Sequence, residues 1–241
     1  MSDFSVTLAV ATHRDIKIRV WNTLWTLASC PNPKVSPCLV DGDALISRSR
    51  SRIATHFLQK TTDDYLFFLD DDVVISPQDA RKLMLEAYNN KLPILGAPYA
   101  TKSQEKSTFA IMTNENKGSF NFGKEGGLVS VKNVSTGCML IAREVLEKMV
   151  KKETAHLVEQ GYYSFFQHRE GLIDGKWQDQ SEDWFFCNEA KKLGFSIWMD
   201  SSIKLDHIGS FAYNFDYVKL LSDGGIKKHE NVVLNYDLVN K

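Results

Sequence analysis

Val6, Leu8 and Val10 alternate with small residues until Thr12-His13-Arg14 breaks the apolar run, a pattern that predicts a strand ending in a polar loop. Val20, Trp21, Leu24 and Leu27 then recur at helical spacing and predict a helix with all four on one face. Pro31, Pro33 and Pro37 punctuate its exit, and a short strand at Cys38-Leu39-Val40 meets Asp41-Gly42-Asp43. Residues 45–58 read as a helix, with Ile53, Phe57 and Leu58 apolar and Arg48, Arg50 and Arg52 among them. Tyr65-Leu66-Phe67-Phe68-Leu69 is apolar at every position, as a strand buried on both faces is, and runs straight into three aspartates. Ser76 and Pro77 suit the cap and first position of a following helix, whose buried side includes Leu83 and Ala87. Pro93-Ile94-Leu95-Gly96 reads as another short strand.

This strand–helix–strand rhythm predicts an α/β fold, a mostly parallel central sheet flanked by helices in one compact domain over residues 1–241. Such sheets bind ligands beyond the carboxyl ends of their strands. Thr12-His13-Arg14, Asp41-Gly42-Asp43 and Asp70-Asp71-Asp72 are therefore expected on one rim. The second half is less regular. Residues 101–127, rich in Lys, Asn, Ser and Gly, read as a mobile loop or hairpin, 128–134 and 137–141 as strands, and 143–149 as a helix. Residues 162–180 mix aromatics with charges and read as loop. Ser181 can cap a helix with Phe186, Cys187, Ala190 and Leu193 on one face, closed by Gly194. Phe195, Ile197 and Met199 alternate as a last strand, and His207 follows a short apolar segment.

Composition narrows the classes. The 29 Lys and Arg against 30 Asp and Glu leave a net charge of −1, so no basic field points to a nucleic-acid partner. Cys30, Cys38, Cys138 and Cys187 form no Cys-x-x-Cys pair and read as free thiols of a reducing compartment. The amino terminus lacks the pattern of a signal peptide, and no apolar stretch approaches the roughly 20 residues of a membrane helix. A soluble, cytoplasmic protein without a transmembrane segment is expected.

Three adjacent carboxylates at the end of a buried strand repel one another unless something positive joins them, and a hard divalent cation is the natural solution. On an extended backbone Asp70 and Asp72 point one way and Asp71 the other, so the outer two could share that cation. His207 is a candidate further ligand. Glu182-Asp183 sits at a helix amino terminus, which favours negative charge and suits a rigidly held general base. Arg48, Arg50 and Arg52 cannot all face one ligand, because helical residues two apart diverge; Arg50 is the chosen diphosphate contact.

The order of these features resembles the GT-A glycosyltransferases, especially those similar to family 2, over residues 5–210. The resemblance rests on Thr12-His13-Arg14, Phe68-Leu69-Asp70-Asp71-Asp72, Ser135-Thr136-Gly137-Cys138-Met139-Leu140, Ser181-Glu182-Asp183-Trp184 and His207-Ile208-Gly209. It implies a GT-A fold with a nucleotide-sugar-binding half at 1–100, an acceptor-binding and catalytic half at 101–210, and a tail at 211–241. It also implies Mn2+ or Mg2+ at Asp70, Asp72 and His207, with Asp72 the direct ligand. Ala11, Thr12, Arg14, Asp43, Arg50, Asp70 and Asp71 would bind the donor, UDP-linked by default. Asp183, with Glu182 beside it, would deprotonate the acceptor hydroxyl of an inverting transfer, and Gly137, Cys138 and Trp184 would line the acceptor site. The acceptor would be a glycan, a lipid-linked sugar or a protein. Family members often carry Pro-Thr where this chain has Ala11-Thr12, and the chain lacks the Gln-x-x-Arg-Trp motif of processive synthases. A metal-dependent nucleotidyltransferase would carry a Gly-rich loop after the first strand, which this chain lacks. A non-catalytic nucleotide or carbohydrate binder is the remaining alternative.

Overall fold

The alternation at the amino terminus forms strand β1, Ser5–Ala11, which pairs in parallel with β2, Lys34–Val40, on one side and β3, Tyr65–Leu69, on the other. All five residues of β3 are buried, as an unbroken apolar run requires when both faces of a sheet are covered. Helix α1, Ile18–Ala28, carries the chain from β1 to β2, and α2, Ile46–Lys60, carries it back past β1 to β3. The two crossovers run in opposite directions, so a right-handed path places the helices on opposite faces. The computed structural model describes residues 4–12, 15–102, 111–113, 120–173, 176–209, 212–213 and 234–236.

A turn after β3 leads to β4, Val73–Ile75, then α3, Pro77–Asn89, and β5, Ile94–Gly96. Ser76 caps α3 as expected, its Oγ accepting the Asp79 amide at 3.0 Å. Short strands β6, Ile111–Thr113, and β7, Phe120–Phe122, precede β8, Leu128–Val134, β9, Cys138–Ala142, and α4, Arg143–Lys151. The chain continues through β10, Arg169–Ile173, β11, Lys176–Gln180, α5, Glu182–Lys192, β12, Ile197–Asp200, and β13, Leu205–Ile208. Strands β14, Ala212–Tyr213, and β15, Leu234–Tyr236, follow.

The main sheet has eight strands in the order β2-β1-β3-β9-β5-β12-β8-β6. Only β9 and β8 run against the rest, so the sheet is mostly parallel. Strand β9, from the second half of the chain, sits between β3 and β5 from the first. The two halves therefore share one core rather than forming separate bodies. A small second sheet, β14-β13-β4, lies at the end of β3 and carries His207. Among the described residues no helix is long and apolar enough to cross a membrane.

Three expectations change. Residues 169–173 and 176–180 form an antiparallel strand pair rather than loop, with Glu170 opposite Asp179 and Leu172 opposite Trp177. Ser181 occupies the cap position of α5 but makes no capping hydrogen bond through its side chain. Trp21 does not join the core face of α1. Val20, Leu24 and Leu27 are buried, and Thr23 completes their face by donating to the Ile75 carbonyl at 2.7 Å. Trp21 lies about 100° round the helix from Val20 and is 43% exposed. Of the loop or hairpin expected at 101–127, residues 103–110 and 114–119 lie outside the described residues, and the described remainder includes β6 and β7; most of the tail also lies outside.

Candidate active site

Residues 70–73 form a turn rather than an extension of β3, since the Val73 amide donates to the Asp70 carbonyl at 3.1 Å. The alternation expected of an extended Asp70-Asp71-Asp72 is therefore lost, and each carboxylate finds its own partner. Asp70 Oδ1 accepts from Arg50 Nη2 at 2.7 Å. Asp71 Oδ2 accepts from Thr12 Oγ1 at 2.6 Å. Asp72 holds the Lys102 ammonium on Oδ2 and faces His207 Nε2 across 3.5 Å on Oδ1. The turn is anchored from three sides. The Asp70 amide donates to the Gly137 carbonyl, the Lys17 amide to the Asp71 carbonyl, and the Ile208 amide to the Asp72 carbonyl.

Arg50 joins the two acidic motifs. Its Nη1 donates to Glu182 Oε1 at 2.7 Å and to Asp183 Oδ1 at 2.9 Å, while Nη2 reaches Asp70. The side chain is 5% exposed and its Nε has no partner. Burial works against the guanidinium charge, but Asp70, Asp183 and Glu182 outweigh it and hold the proton more tightly than usual. Arg50 was expected to contact the donor diphosphate. With both terminal nitrogens committed to carboxylates and the chain enclosed, it is instead the brace that positions them. Helical geometry explains why Arg50 alone does this: Arg48 and Arg52, one turn apart, both turn to Asp43, and Arg50 points inward.

The other half of the brace is aromatic. Phe186 of α5 stacks on Phe166 with ring centroids 4.7 Å apart, and Phe166 meets Phe68 of β3 edge-on at 5.5 Å. The Phe166 amide donates to Ser51 Oγ, one residue after Arg50. The amino end of α5 is thus pinned to β3 and α2, the elements that supply Asp70 and Arg50. Thr136 Oγ1 makes a short hydrogen bond to Asp183 Oδ1.

Electrostatics divide the carboxylates. Burial, with the charge of Asp183 added, pushes Glu182 above the usual carboxylate range. Burial also pushes Asp71 up. For Asp72 burial acts in the same sense, but hydrogen bonds from His207 and Lys102 prevail and hold it down at about 2. The Arg48 hydrogen bonds likewise lower Asp43 to about 2. His207 Nδ1 lies 2.8 Å from the Ala100 carbonyl. A carbonyl only accepts, so Nδ1 carries a proton there, and Nε2 is the ring nitrogen turned towards Asp72.

The remaining expected residues scatter in role. Ala11 and Thr12 end β1 on the rim, Thr12 through its bond to Asp71. Arg14 lies outside the described residues. Asp43 is occupied by Arg48 and Arg52. Trp184 sits half-buried in the first turn of α5. Cys138 is wholly buried in β9, so its thiol has no access to an acceptor. Gly137 is a packing position: a Cβ there would stand 2.4 Å from the Tyr99 hydroxyl. Asp70, Asp72 and His207 do not converge as one ligand trio, because Asp70 is turned to Arg50. Among the described residues, the group of three ligand atoms within 4.8 Å of one another is the exposed His168, Glu170 and Asp179 at the β10–β11 pair. Thr136 enters the sequence reading only within the Ser135–Leu140 motif, without a role, and Lys102 and Tyr99 do not enter it. Tyr99 packs edge-on against His207, centroids 5.0 Å apart.

Residues 52–150 match the family model described as glycosyl transferase family 2, a span that includes the aspartate turn and β9. A solved structure described as A197 from STIV is similar over 85% of this chain and 86% of its own, with a TM-score of 0.56 and 18% identity, a likeness of fold. No curated protein matches the chain.

Proposed function

We propose that this chain, whose residues 52–150 match glycosyl transferase family 2, is a glycosyltransferase that catalyses the following reaction. It moves a glycosyl group from a nucleotide-sugar donor, UDP-linked in the first instance, to an acceptor hydroxyl with inversion. The observation that carries this reading is Arg50, which draws Asp70 on the donor rim and Glu182-Asp183 at the head of α5 onto one guanidinium, although they lie more than a hundred residues apart. The acceptor oxygen forms its bond to the anomeric carbon as the bond from that carbon to the diphosphate oxygen breaks. The acceptor proton passes to Asp183, whose position Arg50 and Thr136 fix. Glu182 shares Arg50 Nη1 but lacks the Thr136 hydrogen bond that fixes Asp183, and is the neighbour rather than the base.

The residues fit a divalent cation. Asp72 is held ionised and His207 presents a ring nitrogen to the same space, an oxygen and nitrogen donor set suited to Mn2+ or Mg2+. The Lys102 ammonium on Asp72 is a stand-in positive charge. When bound, the cation would neutralise charge on the departing nucleoside diphosphate. Replacing Lys102 by Met should therefore tighten Mn2+ binding about threefold, the scale of a part-exposed ion pair, by titration calorimetry. Unchanged or weaker binding would place the cation elsewhere.

The direct test is thermal unfolding with UDP, GDP, dTDP and CDP, each with and without Mn2+. A nucleotide near 100 times its dissociation constant adds about 2.7 kcal/mol, a midpoint rise of roughly 5 °C or more. A rise with one nucleotide only when Mn2+ is present is the expected result. No rise with any of them would count against a nucleotide-sugar donor.

A further inference from the structure

Helix α1 leaves two indoles in solvent. Trp21 and Trp25 are 43% and 65% exposed and Ile18 is 77% exposed, unusual for side chains of this size. They do not stand on a bulge. They form one wall of a groove of about 930 Å³, whose other wall is β4, the start of α3 and residues 204–206. Trp21 and Trp25 are one helical turn apart, about 6 Å along the axis, so the two indoles line the groove in succession.

The polar lining is mixed and balanced. Asn22, Asp79 and Lys204 offer donors and acceptors. Arg19 Nη2 is already paired with Asp206 Oδ2 at 2.6 Å. The positive Arg19 and Lys204 are matched by the negative Asp79 and Asp206, so the groove has no field for a phosphate, an acidic peptide or an anionic membrane. Its concavity argues the same way, since a membrane-binding face is an amphipathic surface rich in Lys and Arg rather than a cleft. A cleft with exposed aromatic side chains and charge-balanced hydrogen-bonding groups suits a neutral ligand with flat apolar faces and a rim of hydroxyls.

The groove also adjoins the carboxylate site. On the paired strands β13 and β4, Asp206 faces Val74 and His207 faces Val73, and Val73 follows Asp72. Asp206 and His207 are neighbours in one strand and point to opposite sides. A chain lying along α1 would thus pass behind the strand that holds His207.

We infer that this groove is a second carbohydrate site, which binds a neutral oligosaccharide against Trp21 and Trp25 and anchors an extended glycan acceptor. Its role as an acceptor anchor rests on the glycosyl transfer proposed above; its affinity for the oligosaccharide does not. The test is tryptophan fluorescence titration of the full chain with chitohexaose, maltohexaose, cellohexaose and α-1,6-mannohexaose. At least one should give a saturable change. Trp25→Ala should weaken that binding about tenfold, and Trp25→Phe, which keeps a ring face, should retain most of it. Both residues are exposed, so the melting midpoint and its rise with nucleotide and Mn2+ should stay as in the parent. No response to any of the four sugars overturns the proposal. Equal affinity in Trp25→Ala and Trp21→Ala also overturns it and moves the sugar elsewhere. Capture by phosphatidylcholine–phosphatidylglycerol vesicles that Trp25→Ala abolishes, without a sugar response, would assign the face to a membrane instead. A sugar response without any nucleotide-dependent rise would leave the groove standing and sink the donor reading.

Discussion

Arg50→Met is expected to lower the melting midpoint by about 10 °C and to remove glycosyl transfer. Removing one partner of a buried ion pair costs about 3–5 kcal/mol, because the other charge stays behind without compensation. Here three carboxylates stay behind, Asp70, Glu182 and Asp183, none more than 25% exposed in its side chain. For a chain of this length each kcal/mol moves the midpoint by about 2–4 °C. The unpaired Nε of Arg50 already costs something in the parent, which places the loss at the lower end of that range. The sign of the pH dependence separates this account from simple loss of packing. Glu182 is already above the usual carboxylate range through burial and the charge of Asp183, so without Arg50 it is the first group to take up a proton. The protonated form relieves the repulsion, and the destabilisation should be smaller at pH 5 than at pH 8. A loss of the same size at both pH values would mean that Arg50 acts through its bulk. Thermal melts followed by circular dichroism at the two pH values decide between them.

The importance of Arg50 shows where the sequence was legible. An unbroken apolar run can satisfy only a strand covered on both sides, so β3 was read to the residue. The mostly parallel sheet followed from the alternation of strands with amphipathic helices, each element having to bury one face. The turn at 70–73 was not legible, because the hydrogen bonds that anchor it involve Gly137, Lys17 and Ile208, which are remote in sequence. The carboxylates were named correctly as a rim feature, yet their directions depend on that turn. The alternating arginines carried half of the answer. Their divergence on a helix was visible, but whether the inward one meets a ligand or a set of carboxylates depends on how closely α5 approaches α2. That approach is fixed by Phe68, Phe166 and Phe186, which in the sequence are only three apolar residues. Lys102 left no sequence signal at all, since a lysine in a polar stretch is ordinarily a solvated one.

Asp183→Asn tests the chemistry with the least disturbance to this frame. The amide oxygen can still accept from Arg50 Nη1 and Thr136 Oγ1, so the brace stays assembled. One negative charge leaves a cluster in which Arg50 faces three, so the variant should melt at the parent's temperature or above it. Stability is thereby separated from activity, as is usual when a strained functional charge is removed. An amide cannot take the acceptor proton, and loss of a positioned general base lowers kcat by about 10²–10⁴-fold. Donor KM and the nucleotide-dependent midpoint rise should not change, because the donor rim is untouched. Release of nucleoside diphosphate, measured with the nucleotide sugar that the melting screen selects, gives both constants. Glu182→Gln is the matched control. It also removes one charge from Arg50, but it leaves Asp183 and its bonds to Arg50 and Thr136 in place, so its effect on kcat should be much the smaller. Full turnover by Asp183→Asn with a crippled Glu182→Gln would reverse the two assignments. Equal losses in both would mean that the pair acts through the Arg50 network rather than through one base.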